Sequence, residues 1–154
     1  CDWSSDVCSA ELASAVVPLR GAEARTATLE ALRSERTRMA TWWGTAVECA
    51  SAIARLERDG ALDHAEATTA LRRLAELQEG WIEIEPAQWI REQAMRLLRT
   101  HALRAADSLQ LAAAILASRQ RPAAMEFVCL DRRLVVAAER EGFRVPMITA
   151  AAAR

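Results

Sequence analysis

The stretch His101-Ala-Leu-Arg-Ala-Ala-Asp107-Ser-Leu-Gln110-Leu-Ala-Ala-Ala-Ile-Leu116 joins one carboxylate to a long run of Ala and Leu. Such a run is typical of a buried helix, and a carboxylate beside so much apolar surface is costly unless it is compensated. Asp107 could cap this helix, since Asp107-Ser-Leu-Gln110 fits a capping box and the helix dipole favours a negative charge there. Alternatively, Asp107 faces a cleft and binds a cation together with other carboxylates. The segment by itself favours the cap.

Length and composition predict one globular domain. The chain has 154 residues, with 52% hydrophobic and 27% charged residues, which is the ordinary balance of a domain with its own core. The net charge of −1 provides no overall basic field that would attract nucleic acid. All 20 basic residues are Arg, which suits phosphate recognition, although a general Ala and Arg bias explains this more simply.

Cysteine spacing and hydropathy exclude several classes of protein. The four cysteines form no pair with the spacing of metal ligands. Cys49 and Cys129 lie in apolar runs, so we expect reduced core residues and a cytoplasmic protein. No apolar run reaches about 18 residues without a charge, so no membrane span is predicted.

The first dozen residues differ from the rest of the chain. Residues 1–12 lack an initiator Met, show little periodicity and resemble translated sequencing-adapter sequence. We therefore predict that 1–12 is a non-native segment that takes no part in the fold. Residues 13–148 are predicted to form a single domain, and 149–154 a frayed tail.

Along the domain, predicted strands alternate with predicted helices. The strands are 38–43, 81–85, 126–130 and an edge strand at 145–148, and the helices are 45–58, 63–78, 87–100, 107–118 and 131–141. Thr45 and Asp63 are predicted to open their helices with capping boxes. This alternation predicts an α/β fold with a parallel sheet covered on both faces. Ligands of such sheets bind beyond the carboxyl ends of the strands.

Three acids stand where such a site would lie. Glu48 and Asp131 follow predicted strands closely, and Asp107 begins a helix. Each has a structural alternative, because Glu48 could close the Thr45 capping box and Asp131 could cap its own helix. Taken together, however, carboxylates that meet at one edge are suited to a hard cation such as Mg²⁺.

Four segments carry a resemblance to a known family. They are residues 13–19, residues 48–56, the run Leu-Arg-Ala-Ala-Asp107-Ser-Leu-Gln within 103–114, and Phe-Val-Cys-Leu-Asp131-Arg-Arg within 127–134. These segments resemble a PIN domain, in particular the VapC-type toxins of toxin–antitoxin modules. The resemblance implies a flavodoxin-like three-layer sandwich, with a parallel sheet of four to five strands flanked by helices. It also implies an endoribonuclease that depends on Mg²⁺ or Mn²⁺, a cognate antitoxin and a homodimer.

The family pattern also assigns site residues. Glu48, Asp107 and Asp131 match three of its four acidic positions, which are catalytic and bind the metal, and Ser14 matches a small hydroxyl residue. The first acidic position is occupied by Leu12, so we expect impaired catalysis. Asp6 could replace that acid only if the first segment formed a shifted strand, which we do not expect. Next to two of the acids, Arg104 and Arg132 are candidates to hold the RNA backbone.

Two other functions compete with the nuclease hypothesis. A PIN-like interaction module could bind antitoxin or RNA without cleaving it, and the Leu12 departure supports that possibility. Alternatively, the chain could be a structural α/β domain in which every one of the acids only caps a helix.

Overall fold

A computed structural model describes residues 39–129 and 131–146 of the chain, together with the backbone of 5–7. Its strands and helices are β1 (Ser5–Val7), β2 (Met39–Trp42), α1 (Thr45–Arg58), α2 (His64–Gln78), β3 (Trp81–Ile84), α3 (Gln88–Thr100), α4 (Ala105–Ala117), β4 (Glu126–Val128) and α5 (Arg132–Arg140). A 3₁₀ turn, Pro122–Ala124, precedes β4. The predicted helices and the first three predicted strands are thus confirmed to within a few residues.

The strands are parallel and lie in the order β3-β2-β1-β4. The longest pairing joins β2 to β3, with Met39 opposite Trp81 and Trp42 opposite Ile84. The predicted α/β class with a parallel sheet is therefore confirmed. In a parallel sheet all strands end on the same side, which we call the carboxyl edge; it is formed by the ends of β2, β3 and β4 at Trp42, Ile84 and Val128.

The prediction that residues 1–12 take no part in the fold is wrong for three of them. Ser5–Val7 forms β1, which pairs with β2 on one side and with β4 on the other. Asp6 is opposite Ala40 and Phe127 in this register. The shifted strand that we did not expect is therefore present, because backbone hydrogen bonds can pair any short extended segment with a strand edge. Whether the segment is native stays a prediction.

Helices pack on both faces of the sheet. Ala40 of β2 belongs to a buried cluster with side chains of α3, α4 and α5, whereas the neighbouring Met39 packs against a second cluster built from α1 and α2. Successive residues of a strand point to opposite faces, so the two clusters lie on opposite sides of β2. Within the first cluster α4 is the most deeply buried element, since nearly every residue from Gln110 to Ala117 is inaccessible.

Several predictions fall on the ends of the described chain. The predicted edge strand at 145–148 is described only as far as residue 146. Next to it, a single parallel β-bridge joins Arg144 to Glu126. Leu12, Ser14 and residues 149–154 lie outside the described residues. Within the described ranges, every helix is too short or too polar to cross a membrane.

Candidate functional site

The side chain of Glu48, on α1, forms a hydrogen bond with a helix on the opposite face of the sheet. Its Oε2 accepts a hydrogen bond of 2.7 Å from Gln110 Nε2 of α4. Because α1 and α4 pack on opposite faces, this bond passes over the carboxyl edge beside the end of β2. The predicted Thr45 capping box is wrong, since the N-cap is Gly44 and Thr45 is a buried first residue of the helix. Glu48 is therefore turned towards α4 rather than back to its own helix start.

Asp107 lies in the first turn of α4 but is not its N-cap, so this prediction is also wrong. The helix begins two residues earlier at Ala105, a strong helix former, and its N-cap is Arg104. Asp107 Oδ2 accepts a hydrogen bond of 3.1 Å from the Arg104 backbone N–H. The carboxylate thus stabilises the helix start and complements the helix dipole, while Gln110 stands one turn further along the same helix.

Asp131 caps α5, as its structural alternative predicted. Asp131 Oδ1 accepts hydrogen bonds from the backbone N–H groups of Arg133 (2.8 Å) and Leu134 (3.2 Å). The Arg133 guanidinium approaches the other carboxylate oxygen at 3.8 Å, an exposed contact that contributes little. Asp131 follows β4 within three residues, which positions it near the carboxyl edge.

The remaining predicted site residues divide into two groups. Arg104 and Arg132 are described and exposed, and each adjoins the helix start that Asp107 or Asp131 stabilises. Both can therefore contact a ligand at this edge, and their proposed contact with RNA stays a prediction. Ser14 and Leu12 lie outside the described residues, so the position of the fourth acid is not part of the observed site.

The described acids do not form a complete metal centre. Their oxygens are of the type that Mg²⁺ and Mn²⁺ prefer. However, within the described part of the chain no three His, Cys, Asp or Glu side chains come together closely enough to hold an ion. The carboxylate oxygens are suitable ligands for a divalent cation, but too few of them come together among the described residues to hold one.

A polar cluster that the sequence analysis did not predict joins α3 to the end of α5. Glu141 accepts hydrogen bonds from Arg96 Nη2 (2.6 Å) and from His101 Nε2 (2.8 Å). Burial raises the pKa of Glu141, but the hydrogen bonds from Arg96 and His101 and their positive charge outweigh it, and the pKa lies below its ordinary value of 4.5. We call Arg96, His101 and Glu141 the polar cluster.

Among the described residues, two buried side-chain polar atoms lack a hydrogen-bond partner, and no sequence signal identified them. They are Thr41 Oγ1, near the end of β2, and His101 Nδ1, on the far side of the imidazole from Glu141. The role of Gln110 as the partner of Glu48 was likewise missed, because a lone Gln in an apolar run carries no pattern.

The chain matches no protein-family model, and the comparison with curated proteins gives no relative.

Proposed function

We propose that this chain is a PIN-like protein of the VapC type, with an RNA-cleaving site at the carboxyl edge that is weakened by the loss of the first acid. The proposal includes the three-layer sandwich with a sheet of four to five strands, a cognate antitoxin and a homodimer. The observation that carries it is the hydrogen bond between Glu48 and Gln110. This bond holds an acid of α1 against the helix whose first turn contains Asp107.

The oxygen donors of the acids are of the type that such a site requires, and the proposal needs further ligands to complete it. A divalent ion held there would supply an activated water and stabilise the leaving oxygen of a phosphodiester. In this chain Glu48, Asp107 and Asp131 are the proposed ligands, and the missing acid would have to come from outside the described residues. Arg104 and Arg132 are proposed to hold the RNA backbone, since a guanidinium pairs well with phosphate.

Substitutions that keep each hydrogen bond but remove the charge can separate metal binding from capping. In Asp107→Asn the side-chain oxygen can still accept from the Arg104 N–H, and in Glu48→Gln an oxygen remains for Gln110. The matched control is Asp63→Asn, because Asp63 caps α2 in a complete capping box with Glu66. Asn is as good an N-cap as Asp, so none of these variants should lose much stability.

The decisive assay measures RNA cleavage in the presence of Mn²⁺. We expect slow cleavage by the unaltered chain, at least tenfold slower cleavage by Asp107→Asn and Glu48→Gln, and no change for Asp63→Asn. Restoring the family's acid with Leu12→Asp should raise the rate by orders of magnitude. Equal rates for the unaltered chain and Asp107→Asn, or no gain with Leu12→Asp, would contradict the proposal.

A second candidate function is a PIN-like module that binds antitoxin or RNA without cleavage. The observation in its favour is that the carboxylates of Asp107 and Asp131 already accept backbone N–H groups, while no group of three acids forms in the described part of the chain. Calorimetric titration with Mn²⁺ distinguishes the two functions. Heat of binding that disappears in Asp107→Asn supports the nuclease, and absence of binding supports the module.

A further inference from the structure

We propose that Trp43, Glu83 and Glu85 form a docking surface for an arginine-bearing, basic segment of a partner protein. We call these three residues the Trp43 surface. The proposal does not depend on RNA cleavage, because its three residues lie at the ends of β2 and β3 and include none of the proposed metal ligands.

Trp43 presents a half-exposed aromatic ring. The residue is 48% exposed, whereas the preceding Trp42 packs against the core. The two indole rings meet edge to face, with centroids 6.4 Å apart and planes at 70°, which is a favourable aromatic geometry. The contact with the core-packed Trp42 orients the Trp43 ring and leaves about half of the residue open to a ligand.

Two acidic residues flank the backbone partner of Trp43 on the neighbouring strand. The Trp43 backbone N–H donates to Ile84 O at 3.1 Å, and Ile84 lies between Glu83 and Glu85 in the sequence. Thr41 and Glu83 are opposite each other in the β2–β3 register. Glu83 is half-buried and Glu85 is exposed. Neither forms an ion pair with any residue in the described part of the chain.

An exposed indole ring next to two acidic residues favours a partner that carries arginine. A guanidinium stacks on an indole face and pairs with carboxylates through its planar fork, whereas a Lys ammonium lacks the planar contact. RNA also stacks on aromatic rings, but the negative charges of Glu83 and Glu85 would repel its phosphates. Charge complementarity therefore favours a basic peptide segment over a nucleic acid.

The test measures binding of defined probes to the full chain by fluorescence anisotropy at low salt. The probes are a labelled peptide of alternating Arg and Gly, the same peptide with Lys for Arg, and a labelled oligouridylate. We expect tighter binding of the Arg peptide than of the Lys peptide. Trp43→Ala should lower the affinity for the Arg peptide about 2- to 30-fold, the range of a cation–π contact.

Two further variants keep the test decisive if Trp43→Ala fails to fold. Trp43→Phe retains an aromatic ring beside Trp42 and should weaken binding less. Glu85→Gln should weaken binding. Glu139→Gln makes the same change of charge at an exposed position of α5 and should leave binding unchanged. Equal binding of the Arg and Lys peptides, no binding of either, no effect of Glu85→Gln, or preferential binding of the oligouridylate would overturn the proposal.

Discussion

Replacing Glu141 by Gln removes the only negative charge of the polar cluster while keeping the shape of the side chain. Glu141 follows the last turn of α5, and its two partners, His101 and Arg96 at the end of α3, lie 40 and 45 positions away in the sequence. The carboxylate therefore holds two distant parts of the fold together. Its side chain is 16% exposed, and that of His101 is 5% exposed, so solvent screens their hydrogen bond little.

The loss can be worked out from the two hydrogen bonds. A hydrogen bond to a charged group contributes about 1.5–3 kcal/mol when it is shielded, which applies to His101. The Arg96 side chain is 45% exposed, so its ion pair contributes no more than about 1 kcal/mol. In Glu141→Gln the side-chain NH₂ group cannot accept a hydrogen bond, so one of the two donors, Arg96 or His101, would lose its partner. We expect the free energy of unfolding to fall by about 2–3 kcal/mol, and the melting temperature by about 5–10 °C.

The pH dependence gives a second, independent readout. Because the pKa of Glu141 is lower in the folded protein than its ordinary value of 4.5, the carboxylate stabilises the fold fully above that pH. This contribution is lost as the pH falls through the lowered pKa of the folded state. The difference between the unaltered chain and Glu141→Gln should therefore be largest at about pH 7 and shrink towards about pH 3.

Urea unfolding followed by Trp fluorescence at several pH values measures this difference. Glu139→Gln is the matched control, since Glu139 lies exposed on the same helix and makes no ion pair with the described residues. The reasoning is refuted if Glu141→Gln unfolds at the same urea concentration as the control. It is equally refuted if the destabilisation is as large at about pH 3 as at about pH 7.

Three further predictions concern stability and are checked by thermal unfolding. Gly44→Ala should cost about 1–3 kcal/mol, because the new Cβ would meet Trp42 Nε1 at 2.6 Å; an unchanged melting temperature would show that the indole moves aside freely. Asp63→Ala should cost about 1 kcal/mol through loss of the capping box with Glu66, and a neutral result would mean that the helix start is held by other contacts. Gln120→Gly should stabilise by up to about 1 kcal/mol, since Gln120 has a φ of 59° that glycine adopts without strain; a lower melting temperature would contradict this.

The α/β class could be predicted because hydrophobic periodicity is a local signal. Ala67, Ala70 and Leu74 recur along one face of α2 and are buried there, which is the spacing typical of an amphipathic helix. Asp63 was likewise identified correctly, because a complete capping box needs only residues three positions apart. Asp131 capped its helix for the same local reason.

The site depends on contacts that no local pattern encodes. Thr45 and Asp107 both have the right neighbours for a capping box, yet tertiary packing decides where each helix begins. Trp42 lies close to Gly44, the N-cap of α1, and Thr45, the first residue of the helix, is buried. The bond from Glu48 to Gln110 joins residues 62 positions apart, so only the folded sheet brings them together.

The burial of α4 has a consequence for how this protein exchanges its amide hydrogens with solvent. The residues from Leu111 to Ile115 are all buried, so we expect deuterium to reach their backbone N–H groups only when the whole domain opens. Their exchange rates should report the global free energy of unfolding. The turn at Ser118–Arg121, which follows directly, is mostly exposed and should take up deuterium by local fraying long before the helix does.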